Sequence, residues 1–135
     1  MTIWRCPFRV QQLLPLLGEG SSIIFVSSVA ARSAVDGLSV YSATKGAVNV
    51  LVRNLAKELG QRSIRVNAVS PGAIDTDMAQ VLLSTDDGRE MIKGLQALKR
   101  IGQPDDVADA VLFLASNHSR WVTGEFIDTS GGACL

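Results

Sequence analysis

Charge of one sign is missing from this sequence. Its 13 basic and 13 acidic side chains cancel, so no long-range field draws it to nucleic acid or to an anionic membrane, and neither partner is expected. Cysteine is scarce: Cys6 and Cys134 stand near opposite ends of the 135 residues with no metal-ligand or redox spacing. That pattern excludes a disulfide framework and fits a reducing compartment. Histidine occurs once, at His118, and no carboxylates gather at a metal's spacing, so no metal site is expected. Long apolar runs are absent too. The run Leu13 to Leu17 is broken by Pro15 and is too short for a signal segment and far too short to cross a bilayer, which gives cytoplasmic as the expected location. The Asn117-His118-Ser119 sequon then reads as an exposed loop.

What remains is an ordinary globular composition, 47% hydrophobic, enough for one domain with a core. Residues 8 to 17 resemble the end of a helix, followed by a turn at Gly18-Glu19-Gly20. Ile23-Ile24-Phe25-Val26 is a short apolar run bounded by serines, the pattern of a parallel strand buried on both faces. From Tyr41 to Leu59, Ala47, Val48, Leu51, Leu55, Ala56 and Leu59 recur at helical spacing, and Gly60 stands where a C-terminal cap belongs. Ile64 to Val69 predicts a second strand, ended by the Ser70-Pro71-Gly72 turn. Residues 73 to 100 predict a flap of two short helices divided at Asp86-Asp87-Gly88. Pro104-Asp105-Asp106 starts a helix running to about Ser116, with acidic residues in the turn that the helix dipole favours. Phe126-Ile127-Asp128 is the last strand, with Trp121 expected to pack beside it. Strands alternating with helices mean parallel pairing with crossovers, hence an α/β architecture.

Three residues could carry chemistry. Tyr41 and Lys45 are four apart on one helix, so a phenol and an ammonium share a face one turn from each other. A cation there favours loss of the phenol's proton. Ser28 follows the first strand, at the C-terminal sheet edge where α/β folds place ligands. The spacing alone favours a plainer reading, a solvated lysine beside a half-buried tyrosine.

From Phe8 onward the sequence resembles the C-terminal half of a short-chain dehydrogenase/reductase, similar to 3-oxoacyl-[acyl-carrier-protein] reductases. Five stretches match in order: Ile23 to Ser28, Tyr41-Ser42-Ala43-Thr44-Lys45, Ile64 to Gly72 followed by Ile74 to Met78, Arg100 to Ala108, and Trp121 to Glu125 with Gly131-Gly132. The resemblance implies the C-terminal half of a Rossmann-like, doubly wound parallel sheet in three α/β/α layers. It implies oxidation of alcohols or reduction of carbonyls with NAD or NADP. Tyr41 would be the general acid or base. Lys45 would assist it and bond the nicotinamide ribose, and Ser28 would orient the substrate oxygen, its thirteen-residue distance from Tyr41 selecting it over Ser27. Pro71 and Gly72 would let the chain pass close to the nicotinamide. Ile74 would offer backbone groups to its carboxamide, and Thr76 would reach the carboxamide or pyrophosphate. A homodimer or homotetramer of the full-length form is implied as well.

Two departures qualify this. The family's Gly-rich turn after the first strand, which holds the pyrophosphate, is not in this chain, nor is the acidic or basic residue that chooses between NAD and NADP, and Gly18-x-Gly20 precedes a strand and lacks a third glycine. Ile3 stands where many relatives carry an asparagine that holds a relay water. Residues 1–135 are therefore expected to form a single partial nucleotide-binding domain. Two functions compete: an oxidoreductase acting on CH–OH or C=O groups, and a catalytically incompetent fragment that keeps only the folding and dimerisation surface.

Overall fold

One strand, Arg65–Pro71, is buried on both of its faces and sets the architecture. The computed structural model describes residues 5–133 and 135, with residues 5–7 described by backbone alone. Ile3, Cys134 and the side chain of Cys6 lie outside what is described. The chain runs α1 (Arg5–Leu13), a 3₁₀ turn (Leu14–Leu16), β1 (Ser22–Val26), α2 (Ser39–Leu59), β2 (Arg65–Pro71), α3 (Gln80–Leu83), α4 (Asp86–Leu95), α5 (Pro104–Ala115) and β3 (Phe126–Thr129). The three strands are parallel in the order β1-β2-β3.

Successive β2 side chains point to opposite faces. Val66 and Ala68 are fully buried in one cluster with Val48, Val52, Ala56 and Leu59 of α2, against which Phe25 and Phe126 also pack. On the other face the Arg65 guanidinium donates to Ser119 Oγ at 2.9 Å, and Ser22 Oγ donates to the Leu114 carbonyl of α5 at 2.8 Å. Helix, sheet and helix thus form three α/β/α layers. Asn67, fully buried, locks β2 to the turn before β3: its Nδ2 donates to Val122 O at 2.9 Å and its Oδ1 accepts from Glu125 N at 3.0 Å.

Several expectations are corrected. The α2 stripe is centred on Val48, Val52, Ala56 and Leu59, whereas Ala47 is exposed. Gly60 is the C-cap of α2 as expected, but with right-handed angles (φ −57°), and the left-handed reversal falls on Ser63 (φ 55°) after one more 3₁₀ turn. β1 is not buried on both faces: Ser22 to Phe25 are half-buried and Val26 is exposed. One edge of β1 has no partner strand among the described residues, which leaves its side chains partly uncovered. Asp86-Asp87-Gly88 does not divide the flap helices but starts the second. Thr85 caps α4 by accepting from Gly88 N at 3.1 Å, and a Cβ on Gly88 would lie 2.0 Å from the Leu82 carbonyl. Trp121 packs on nothing and is 98% exposed.

Candidate functional site

Helix α2 overhangs the C-terminal edge of the sheet. Tyr41, Lys45 and Asn49 recur every four residues and continue the side of α2 that Val48, Val52 and Ala56 bury against β2, so the N-terminal turns carry this row out over the strand ends. The Lys45 ammonium donates to the Val26 carbonyl at 2.9 Å and lies 5.6 Å from the centre of the Tyr41 ring. Tyr41 is 37% exposed, so its phenol is open to a ligand.

Ser28 follows β1 and caps the 3₁₀ turn Val29–Ala31, which packs against α2. Its hydroxyl oxygen accepts from Ala30 N at 3.2 Å. A hydroxyl has one donor and two acceptor sites, so this bond leaves the Ser28 proton to give. Ser27 differs. It is 2% exposed and its hydroxyl donates to Asn49 Oδ1 at 2.6 Å. Beyond Ser28, Arg32 pairs with Asp128 at the end of β3, and Asp128 also accepts from Ser130 N at 2.8 Å. Neither Asn49 nor Arg32 was singled out from the sequence. The i, i+4, i+8 row from Tyr41 was the available signal for Asn49; nothing local signals the pairing of Arg32 with Asp128, 96 residues on.

Pro71 ends β2 beside Thr129, and a Cβ on Gly72 would stand 2.9 Å from Ser130 Cα, so the two chain segments touch where glycine allows it. Ile74 makes an isolated parallel bridge to Gly102, and Thr76 is exposed, its hydroxyl donating to the Ile74 carbonyl at 3.3 Å. A cavity of about 580 Å³ between the flap's return and the end of β3 is lined by Ile74, Gln96, Asp128 and Gly131 among others. Ser28, Tyr41 and Lys45 do not line it.

The strongest electrostatic feature closes the flap. Arg100 holds both oxygens of Asp106 at 2.6 Å, and Gln103 N donates to the same carboxylate at 2.7 Å. The hydrogen bonds from Arg100 first, then that from Gln103, bring the Asp106 carboxyl down to about 2, and Arg100 is in turn held more firmly protonated by its bond to Asp106. Asp106 therefore does more than serve the helix dipole. Asp75 accepts from Gln80 Nε2 at 3.1 Å, and His118 is exposed in the turn after α5. Among the described residues no group of three or more His, Cys, Asp or Glu could hold a metal, and no helix is long and apolar enough to cross a membrane. The Gly18-Gly20 turn, in which Gly20 N donates to Ser63 O at 3.1 Å, lies at the N-terminal end of β1, opposite Ser28.

A family model described as enoyl-(acyl carrier protein) reductase matches residues 7–134. An uncharacterised oxidoreductase of Methylorubrum extorquens is 51% identical over 119 residues, 86% of this chain and 47% of that protein. A short-chain dehydrogenase family protein from Francisella tularensis superposes with a TM-score of 0.91 at 32% identity, over 96% of this chain and 57% of that one. The angucycline C-6 ketoreductase LanV with bound NADP gives 0.87 at 38% identity, over 96% and 50%. The chain thus spans about half the length of the relatives it matches. With the strand, turn and helix signatures falling in one order on this fold, the chain belongs to the short-chain dehydrogenase/reductase family.

Proposed function

We propose that this chain is the C-terminal half of a nicotinamide-dependent oxidoreductase domain, acting on an alcohol or carbonyl, with Tyr41 as the proton-transferring group. The observation that carries this reading is the Tyr41 phenol beside the Lys45 ammonium at the C-terminal edge of a parallel sheet. When bound, the nicotinamide supplies or accepts the hydride. In carbonyl reduction Tyr41 gives its proton to the substrate oxygen and in alcohol oxidation it takes that proton up. Lys45, now on the Val26 carbonyl, has further N–H donors for a ribose hydroxyl. Ser28 donates to the substrate oxygen with the proton that its bond from Ala30 leaves available.

The nicotinamide end of the cofactor fits the residues present. Gly72 marks a place where chain segments approach within contact, Ile74 brings backbone groups to the same edge, and Thr76 adds an exposed hydroxyl within reach of a carboxamide or phosphate. Gly18-Gly20 sits at the N-terminal end of β1 and does not serve the pyrophosphate end. The β1 edge, which no strand covers among the described residues, favours a second reading: a chain that folds and associates without turning over. A fluorescence titration with NADPH and with NADH separates the two. Saturable binding is expected for the oxidoreductase, and its absence over the soluble range of both nucleotides would leave the second reading for this polypeptide. The substrate is a small alcohol or carbonyl compound.

A further inference from the structure

We infer that Asn49 is a positioning residue for the proposed site, holding Ser28 in register with Tyr41 and Lys45 through the hydroxyl of Ser27. The inference rests on the oxidoreductase reading above and assigns a role to a side chain outside the triad. The end of β1 is fastened to α2 at two successive residues, by the Val26 carbonyl to Lys45 Nζ at 2.9 Å and by Ser27 Oγ to Asn49 Oδ1 at 2.6 Å. The two anchors are one helical turn apart and continue the row that begins with Tyr41. Of the two, only the Lys45 anchor is open to competition from a ligand, since the ammonium divides its three donors between the Val26 carbonyl and whatever it binds. The Asn49 anchor is then what keeps the strand end on the helix.

Asn49 also decides which of two adjacent serines can act. Ser27 is 2% exposed, its N–H donates to Val69 O at 2.8 Å, and its only hydroxyl proton goes to Asn49. Ser28, next in the chain, uses its hydroxyl oxygen as an acceptor from Ala30 and keeps its proton. Taking up the Ser27 proton removes a competing donor beside the reacting oxygen and pins the peptide that carries Ser28. A displacement of about 1 Å there lowers turnover about 100-fold by misorienting the reacting groups.

The test compares Asn49→Leu, which removes the acceptor at similar size, Asn49→Asp, which keeps it, and Ser27→Ala, which removes the donor, in the protein as its gene encodes it. Asn49→Leu and Ser27→Ala should each lower kcat about 10- to 100-fold with the cofactor KM within about twofold of wild type, and the double variant should be no worse than either. Asn49→Asp should recover most of the loss. Tyrosine-selective NMR gives a readout without turnover, since Tyr41 is the only tyrosine in this sequence and Tyr41→Phe identifies its signal. Its ring signal should move in Asn49→Leu and Ser27→Ala and return in Asn49→Asp. If Asn49→Leu does not fold, Ser27→Ala carries the same test, because water can satisfy the half-exposed Asn49 amide. A lowered melting temperature with wild-type kcat, or in a protein without turnover an unmoved Tyr41 signal, overturns the inference. Failure of the oxidoreductase reading looks different: Tyr41→Phe then turns over like wild type, or no variant turns over, whatever Asn49 does.

Discussion

The Lys45 ammonium lies 2.9 Å from the Val26 carbonyl oxygen, so the strand that leads to Ser28 also holds the cation beside Tyr41. Removing that charge while keeping the length of the side chain, as in Lys45→Met, should lower kcat by about 100-fold or more, the scale of assisted proton transfer. Lys45→Arg should recover only part of this, because a planar guanidinium cannot make the same compact contact. Steady-state rates at saturating nicotinamide nucleotide measure both.

Gly72 gives a prediction about packing. Gly72→Ala brings a methyl group to within 2.9 Å of Ser130 Cα, where the neighbour is backbone and cannot step aside freely. A loss of about 1–3 kcal/mol is expected from overpacking, read by denaturant unfolding without cofactor. Unchanged stability with weaker nucleotide binding would mean that the glycine serves the ligand alone.

Asn67 uses both ends of its amide in a fully buried place. Asn67→Ala strands the Glu125 N–H and the Val122 carbonyl, at about 1–3 kcal/mol for each group left unsatisfied. The unfolding midpoint in urea should fall accordingly, and native-state hydrogen exchange should quicken first at Glu125.

The Arg100–Asp106 pair predicts acid sensitivity of the flap's return. Asp106 titrates at about 2 in the folded protein against an ordinary value of 3.8. A folded value below the unfolded one means that the contribution is present above about 3.8 and is lost as pH falls through about 2. Both partners are exposed enough for salt to weaken the pair. Carboxyl-carbon NMR should find Asp106 titrating well below the ordinary 3.8, and Arg100→Ala should return most of that shift.

The sequence made the alternating architecture legible because its signals are local: serine-bounded apolar runs at β1 and β2, a long periodic helix, and Pro104 opening α5. It misread features set by what lies across the fold. An apolar run such as Ile23 to Val26 looks the same whether or not a strand covers its outer edge, so the exposure of Val26 was not readable. Gly88 looked like a break because glycine is a poor helix former, yet it is called for by the approach of the Leu82 carbonyl. At the site, the Tyr41–Lys45 spacing and the place of Ser28 after the first strand could be seen, and the resemblance selected Ser28 over Ser27. Asn49 stayed hidden since its partner Ser27 lies on a separate element, 22 residues away.

The most direct measurement is the turnover of Tyr41→Phe, at saturating NADPH or NADH and with a panel of ketones and secondary alcohols. Phenylalanine keeps the ring and removes only the proton that is to be transferred. The account predicts kcat lower by about 100- to 10,000-fold, with nucleotide affinity within about twofold of wild type. A Tyr41→Phe protein that turns over at the wild-type rate would contradict it.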